Sequence, residues 1–193
     1  MVTTEQVKEL RDLTGVSIMQ CKKALEEAGG DLEKAKVLLA KKGSQVAAKK
    51  ADRELGAGAV QAYIHGTYEV AGICVLACET DFVSKNEDFV KLTYDIAMQI
   101  AASAPEFLKR EDLAEADMKA AKEVFAEEVK DKPEEMQEKI LEGKLDSYFR
   151  DKILLEQAFI KDGDKTIQAL LDEATQKFGE RIEISRFERF SVK

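Results

Sequence analysis

Histidine occurs once in this chain, at His65, and cysteine three times, at Cys21, Cys74 and Cys78. Any thiol, imidazole or zinc chemistry would have to rest on these groups. Zinc needs about four ligands, or three and a water, and only His65, Cys74 and Cys78 lie near one another in sequence, with no second cluster to complete them. If Cys74 and Cys78 share a strand, they sit on one face about 13 Å apart at roughly 3.3 Å per residue. A disulfide requires Cα atoms within about 7 Å, so the two cannot bridge each other and read best as buried apolar filling. The patterns G-x-x-x-x-G-K-[ST], G-x-G-x-x-G and G-x-S-x-G do not occur, which leaves nucleotide hydrolysis and the common hydrolase elbow without support. No catalytic residue, metal or cofactor is expected, and the chain does not read as an enzyme. The remaining candidate is Glu79-Thr80-Asp81-Phe82-Val83-Ser84. Asp and Thr favour turns, and Phe82 either tucks into the core below such a loop or projects beside Asp81 as an anchor for a partner's pocket. Residue types alone leave both open.

The elements that must carry this loop are legible around it. Val60, Ala62 and Ile64 alternate with polar neighbours, His65-Gly66-Thr67 supplies a turn, and Val70 to Cys78 returns as an apolar, β-branched run; this is a β-hairpin leading into residue 79. Upstream, Thr4 can cap a helix carrying Val7 and Leu10, ended by Gly15. Ser17 and Gln20 have capping-box spacing for a helix over Ile18 to Ala28, and Asp31 caps a third containing Leu32, Ala35, Leu38 and Leu39, with Gly43 just past its end. Short turns fold these three into a bundle, and Ser44 to Leu55 reads as an Ala- and Lys-rich connector. Downstream, helices are expected over 88–103, 117–130 and 134–142, with a further helical stretch marked by Leu145, Phe149 and Ile153. Residues 157–161 read as a strand, 165–178 as a helix and 181–192 as a closing strand. The expected fold is therefore α+β: an N-terminal three-helix (UBA-like) bundle over residues 1–55, then a core over 56–193 in which a small antiparallel sheet packs with helices.

Composition narrows the function. The 193 residues are 45% hydrophobic and 35% charged, as suits a compact protein. No apolar run approaches the roughly 20 residues of a membrane span, and the charged N-terminus lacks an export signal; a cytoplasmic protein with reduced thiols is expected. The net charge of −8 is uneven. Residues 1–53 carry eleven Lys/Arg against eight Asp/Glu, leaving nineteen against thirty for the remainder. An excess of only +3, with no aromatic residue beside it, argues against direct nucleic-acid binding. Lys34, Lys36, Lys41, Lys42, Lys49, Lys50 and Arg53 read instead as a solvated face, and the whole as a protein that docks other proteins.

Thr80-Asp81-Phe82-Val83, followed by Asn86 and Phe89, resembles the signature of the elongation factor Ts family. Leu10-Arg11, Thr14-Gly15, Cys21-Lys22-Lys23-Ala24-Leu25, Gly30-Asp31 and Lys34-Ala35 resemble that family's N-terminal module. Tyr63-Ile64-His65, Ala97 to Ala102, Leu154-Leu155-Glu156-Gln157 and Arg186-Phe187-Glu188-Arg189-Phe190 follow in the family's order, so that the likeness spans essentially the whole chain. It departs at Gln20, where the family often has an acidic residue, and at Ser84-Lys85, where Ala-Arg is common.

The resemblance implies guanine nucleotide exchange in translation. Its members bind elongation factor Tu·GDP, displace Mg²⁺ and promote GDP release so that GTP can bind. By that likeness Thr80, Asp81, Phe82 and Val83 form the tip that dislocates Mg²⁺ in the partner, and Lys8, Arg11, Ile18, Met19, Lys22 and Lys50 form the contact of the N-terminal module. Ile18 and Met19 follow a helix cap, where either one can equally be core. The family's short members are expected to pair as homodimers, giving a two-to-two complex, with no small-molecule substrate, nucleic acid or membrane as a direct partner.

Overall fold

The computed structural model describes residues 2–130 and 133–193. The first three helices are α1 (Thr4–Thr14), α2 (Ile18–Glu27) and α3 (Leu32–Lys50). Each starts on a side-chain cap that satisfies an otherwise orphaned backbone N–H. Thr3, and not Thr4, caps α1: its hydroxyl accepts from the Gln6 amide, and Gln6 returns the bond to the Thr3 amide, closing a capping box. Ser17 accepts from Gln20 N, and Asp31 from Lys34 N at 3.1 Å. Gly15, at φ +68°, ends α1 in the left-handed conformation that glycine adopts without steric cost. Val7, Leu10, Val16, Cys21, Ala24, Leu25, Ala35 and Leu39 make one buried cluster.

Helix α3 does not stop at Gly43 but runs on to Lys50, absorbing the expected connector. The reason is packing. A Cβ at residue 43 would lie 3.2 Å from Gln176 Oε1 and 3.4 Å from the Asp172 carbonyl, so glycine lets α3 lie against α8 (Ile167–Phe178). Ser44 Oγ donates to Asp172 at 2.6 Å beside it. The helical cost of glycine, about 1 kcal/mol against alanine, is outweighed by that approach.

The hairpin β1 (Ala57–Ile64) and β2 (Val70–Cys78) joins β5 (Ile182–Ser191) in a sheet of order β1-β2-β5. The His65 amide donates to the Val70 carbonyl across the turn, and the Val192 amide to the Glu69 carbonyl. Along β2, burial alternates so that Gly72, Cys74, Leu76 and Cys78 face inward. In β5 the parity changes: Ile182 and Ile184 are buried, Ser185 and Arg186 are both exposed, and Phe187 and Arg189 are the half-buried positions beyond them.

Helix α4 (Asp81–Ser84) is one turn, followed by α5 (Glu87–Ser103), α6 (Glu115–Val129) and α7 (Glu134–Lys152). The two helical stretches expected after residue 133 are one helix, continuous through Gly143. Ala121, Phe149 and Ile153 form its buried seam with α6, flanked by Phe107, Leu113, Phe125 and Leu145. A second hairpin, β3 (Ala158–Phe159) with β4 (Asp162–Thr166), precedes α8. The buried amide of Gln99 supports it, donating to the Ala158 carbonyl and accepting from the Ile160 amide.

By contacts the chain falls into two compact units, each discontinuous in sequence. One comprises Met1–Gln61, Cys74–Asp95 and Gln168–Arg186; the other comprises Ala62–Ile73, Ile96–Ile167 and Phe187–Lys193. Among the described residues, no helix is long and apolar enough to cross a membrane.

Candidate functional site

Strand β2 delivers the chain to Glu79 on the rim of the first unit, and everything about the next six residues follows from how that exit is tied. The carboxylate of Glu180, between α8 and β5, accepts from the Glu79 amide at 3.1 Å, the Thr80 amide at 3.0 Å and the Thr80 hydroxyl at 2.5 Å. The carboxylate of Glu79 reaches back to the Arg181 amide at 2.6 Å and to the Arg53 guanidinium at 3.2 Å. Arg181 donates in turn to the Arg53 carbonyl and to Glu183. Glu180 thus binds the backbone of Glu79 and Thr80, while Glu79 binds the backbone of Arg181, the residue next to Glu180. Donation from the Arg181 amide, then from Arg53, holds the Glu79 carboxyl below its usual range.

Helix α4 starts immediately after this clasp. One turn is enough to separate the side chains by face: Val83 is buried at 4% exposure while Phe82 stands 83% exposed. Asp81 points to solvent as well, and Lys85, one turn on, pairs with it at 2.7 Å and holds its carboxyl below the usual range. The Ser84 hydroxyl closes on the Asp81 carbonyl. Beyond the tip, the Asn86 side chain accepts from the Asp88 amide at 2.9 Å, and Phe89 is fully buried, edge-on to Phe178 with ring centroids 6.0 Å apart. Of the two places open to Phe82, the structure chooses solvent. The result is a short, tethered projection carrying an aromatic ring and a carboxylate.

Beneath the tip lies Cys78, whose thiol donates to the Thr80 carbonyl. Burial, and next the charge of Glu180, raise its pKa. Burial alone pushes Cys74 up to about 12. All three cysteines are buried and free, so they act as core residues and not as nucleophiles. His65 accompanies Tyr63, whose hydroxyl lies 3.1 Å from Nδ1, on the exposed hairpin.

The N-terminal candidates separate into two groups. Ile18 and Met19 are both exposed, at 55% and 79%, in the first turn of α2, so neither joins the bundle core. Lys22 follows one turn later on the same face and pairs with Glu26 at 3.9 Å. Lys8 and Arg11, one turn apart on α1, are exposed too. Lys50 differs: at the end of α3 it donates to the Gly179 carbonyl at 2.6 Å and is half-buried. Its observed role is to tie α3 to the residue before Glu180. The sequence reading missed Glu180 and Arg181 as partners of this loop, because no spacing rule links residues a hundred positions apart, and it placed Arg53 on a solvated face where the structure pairs it with Glu79.

The chain matches the family model described as elongation factor TS over residues 3–193. It is 46% identical to the elongation factor Ts of Thermosipho melanesiensis, over all of this chain and 99% of that one. The chain belongs to the elongation factor Ts family. The elongation factor Ts of Syntrophomonas wolfei is 48% identical over the whole of this chain and 91% of its own length, and that of Desulforamulus reducens is 46% identical over 99% and 89%. This makes the chain a translation elongation factor of the Ts family, with the α+β fold expected of it.

Proposed function

We propose that the chain is a guanine nucleotide exchange factor for elongation factor Tu, acting in the cytoplasm. It binds the GDP-bound partner and uses the tip Thr80-Asp81-Phe82-Val83 to displace Mg²⁺ and release GDP, so that GTP can bind. The observation that carries this reading is Phe82, an aromatic ring left in solvent on a backbone tied at both ends. Leaving such a ring exposed gains nothing for the fold, whereas a rigid aromatic is a typical anchor for a partner's pocket. Asp81 brings negative charge beside it, suited to competing for a cationic site. No bond in the chain's own substrate is made or broken, so the protein works by coupled binding and not as an enzyme. Linkage makes the effect reciprocal: a factor that weakens nucleotide is itself weakened by nucleotide.

The N-terminal module, residues 1–55, supplies the docking surface. Ile18 and Met19 offer apolar contact and Lys8, Arg11 and Lys22 surround it with positive charge, with Lys50 holding the end of α3 in place. Residues 56–193 form the core that carries the tip and pairs with a second copy, giving a two-to-two complex. In the second unit, Ile64, Tyr68, Phe190 and Val192 are exposed large apolar residues on and beside the sheet strands, a suitable surface for that pairing.

Release of fluorescent GDP from elongation factor Tu tests the reading. The native chain should accelerate release strongly and Phe82→Ala far less, while the variant still docks on nucleotide-free Tu. Equal proportional losses in exchange and docking would refute the wedge, and no acceleration by the native chain would refute the function.

A further inference from the structure

The first residue of the tip does something unusual for its position. Thr80 precedes α4 in extended conformation, at φ −127° and ψ 156°, where a threonine hydroxyl ordinarily accepts from the amides of the helix it starts. Here it makes no such cap. Its proton goes to Glu180 instead, and the same carboxylate takes the amides of Thr80 and Glu79. Three donors from two consecutive residues converge on one carboxylate. Such bonds to an ionised acceptor are roughly twice as strong as neutral ones.

Phe82 is so exposed that packing does not aim it. Its direction is set by the backbone of α4, and a four-residue helix is too short to hold itself, because the first turn is the costly one. Downstream, α4 is fastened by Val83 in the core and by the Asn86 cap. Upstream, the fastening is Glu180.

We propose that Glu180 is a positioning residue for nucleotide exchange: it aims Asp81 and Phe82 by clamping Glu79 and Thr80, without touching the partner's nucleotide site. The proposal rests on the exchange reading given above. Glu79 completes the clasp from the other side through the Arg181 amide, so the two segments hold each other in register. The three bonds that Glu180 accepts come from Glu79 and Thr80 and none from α1 to α3, so loss of its carboxylate should spare docking.

The test is release of fluorescent GDP from elongation factor Tu over a range of concentrations of the full-length chain, as wild type, E180A, E180Q, F82A and the F82A/E180A double variant. In E180A the saturating release rate should fall about tenfold or more, the scale of lost charge-assisted hydrogen bonds. The half-saturating concentration should change by less than about threefold, because binding and the later step are separable. E180Q keeps a carbonyl oxygen to accept the two amides and should recover part of the rate. In the F82A background, E180A should add little, since a residue that acts through Phe82 has nothing left to aim. Amide hydrogen exchange in the chain alone should show Glu79 and Thr80 losing protection in E180A while the α1–α3 bundle keeps its own. Equal effects of E180A with and without Phe82, a change confined to half-saturation, or unchanged amide protection would each overturn the positioning role. A wild type that fails to accelerate release at all would overturn the exchange reading and this role with it. A wild type that works, slowed by F82A but not by E180A, would overturn the role of Glu180 alone.

Discussion

Replacing Gly72 with alanine should destabilise the protein more than its size suggests. In β2 this glycine faces α5 so closely that a Cβ would lie 2.3 Å from the Ala97 carbonyl oxygen, 2.8 Å from the Ala101 amide nitrogen and 3.2 Å from Ile100 Cβ. The first two are backbone atoms of a buried helix face and cannot swing aside as a side chain would. Ordinary contact begins near 3.4 Å, so strand and helix must part by about an ångström over a seam packed to crystal-like density. Overpacking typically costs about 1–3 kcal/mol, and two backbone clashes place Gly72→Ala near the upper end, at about 3 kcal/mol. For a chain of this length each kcal/mol lowers Tm by roughly 2–4 °C, so a drop of about 6–12 °C is expected in thermal unfolding followed by circular dichroism. Gly66→Ala is the control: nothing lies within 4 Å of its Cβ position, and its Tm should move by only about a degree. A Gly72→Ala transition within about 2 °C of the native chain would refute the close approach of β2 and α5.

Phe82→Ala should leave folding stability within about 0.5 kcal/mol of the native chain, because the ring is already in solvent; chemical denaturation that shows a much larger loss would mean that the ring packs on its own fold. The Glu79 carboxyl sits below its ordinary 4.5 in the folded chain, so its contribution is complete above the unfolded value and disappears as pH falls through the folded one. Protection of the Arg181 amide should therefore persist at pH 4.5 and weaken only in more acid solution, with loss already complete at about pH 6 contradicting the assignment. With its thiol pushed up to about 12, Cys74 should resist alkylation in the native protein near pH 8 and react once the chain is denatured; rapid native labelling, read by mass spectrometry, would exclude the buried placement. Under the pairing proposed above, the native chain should sediment as a dimer and Phe190→Lys as a single chain with little change in Tm; a native dimer whose mass Phe190→Lys leaves unchanged would remove this face from the pairing surface.

The parts of the fold that were legible are those whose own residues decide them. The alternation through Val60, Ala62 and Ile64, and the caps Ser17 and Asp31, act over a few positions, and the hairpin and helix starts follow. The misreadings share a different cause. Gly43 and Gly143 look like punctuation, but α3 continues because it must lie against Asp172 and Gln176, and α7 continues because Leu145 and Phe149 keep their helical spacing against α6. Strand β4 has no signal of its own in the sequence, because Asp162-Gly163-Asp164-Lys165-Thr166 has no apolar alternation, and the helix expected from residue 165 starts only at Ile167. The segment is a strand through pairing with β3, with Thr166 opposite Ala158. At the site, the tip itself was recognisable by residue type and by family likeness. Whether Phe82 or Val83 turned inward depended on the one-turn helix between them, and the clasp by Glu180 on a contact between residues far apart in sequence.

That clasp bears on how so small a tip could drive exchange. A thousandfold acceleration of GDP release corresponds to about 4 kcal/mol, at roughly 1.4 kcal/mol per tenfold, and one buried aromatic anchor contributes about 2 kcal/mol or more. If residues 80–83 were a free loop, ordering their backbones at roughly 1–2 kcal/mol per residue would cost about 4–8 kcal/mol on binding, as much as the whole effect or more. Glu180, Val83 and Asn86 place that cost in the folding of the chain, before any partner is met. In the exchange role proposed above, the interaction of Phe82 and Asp81 would then be available in full for displacing nucleotide and metal. This explains why the ring can be so exposed while the backbone beneath it is so firmly tied, and why Glu180 should matter to the rate at saturation more than to docking.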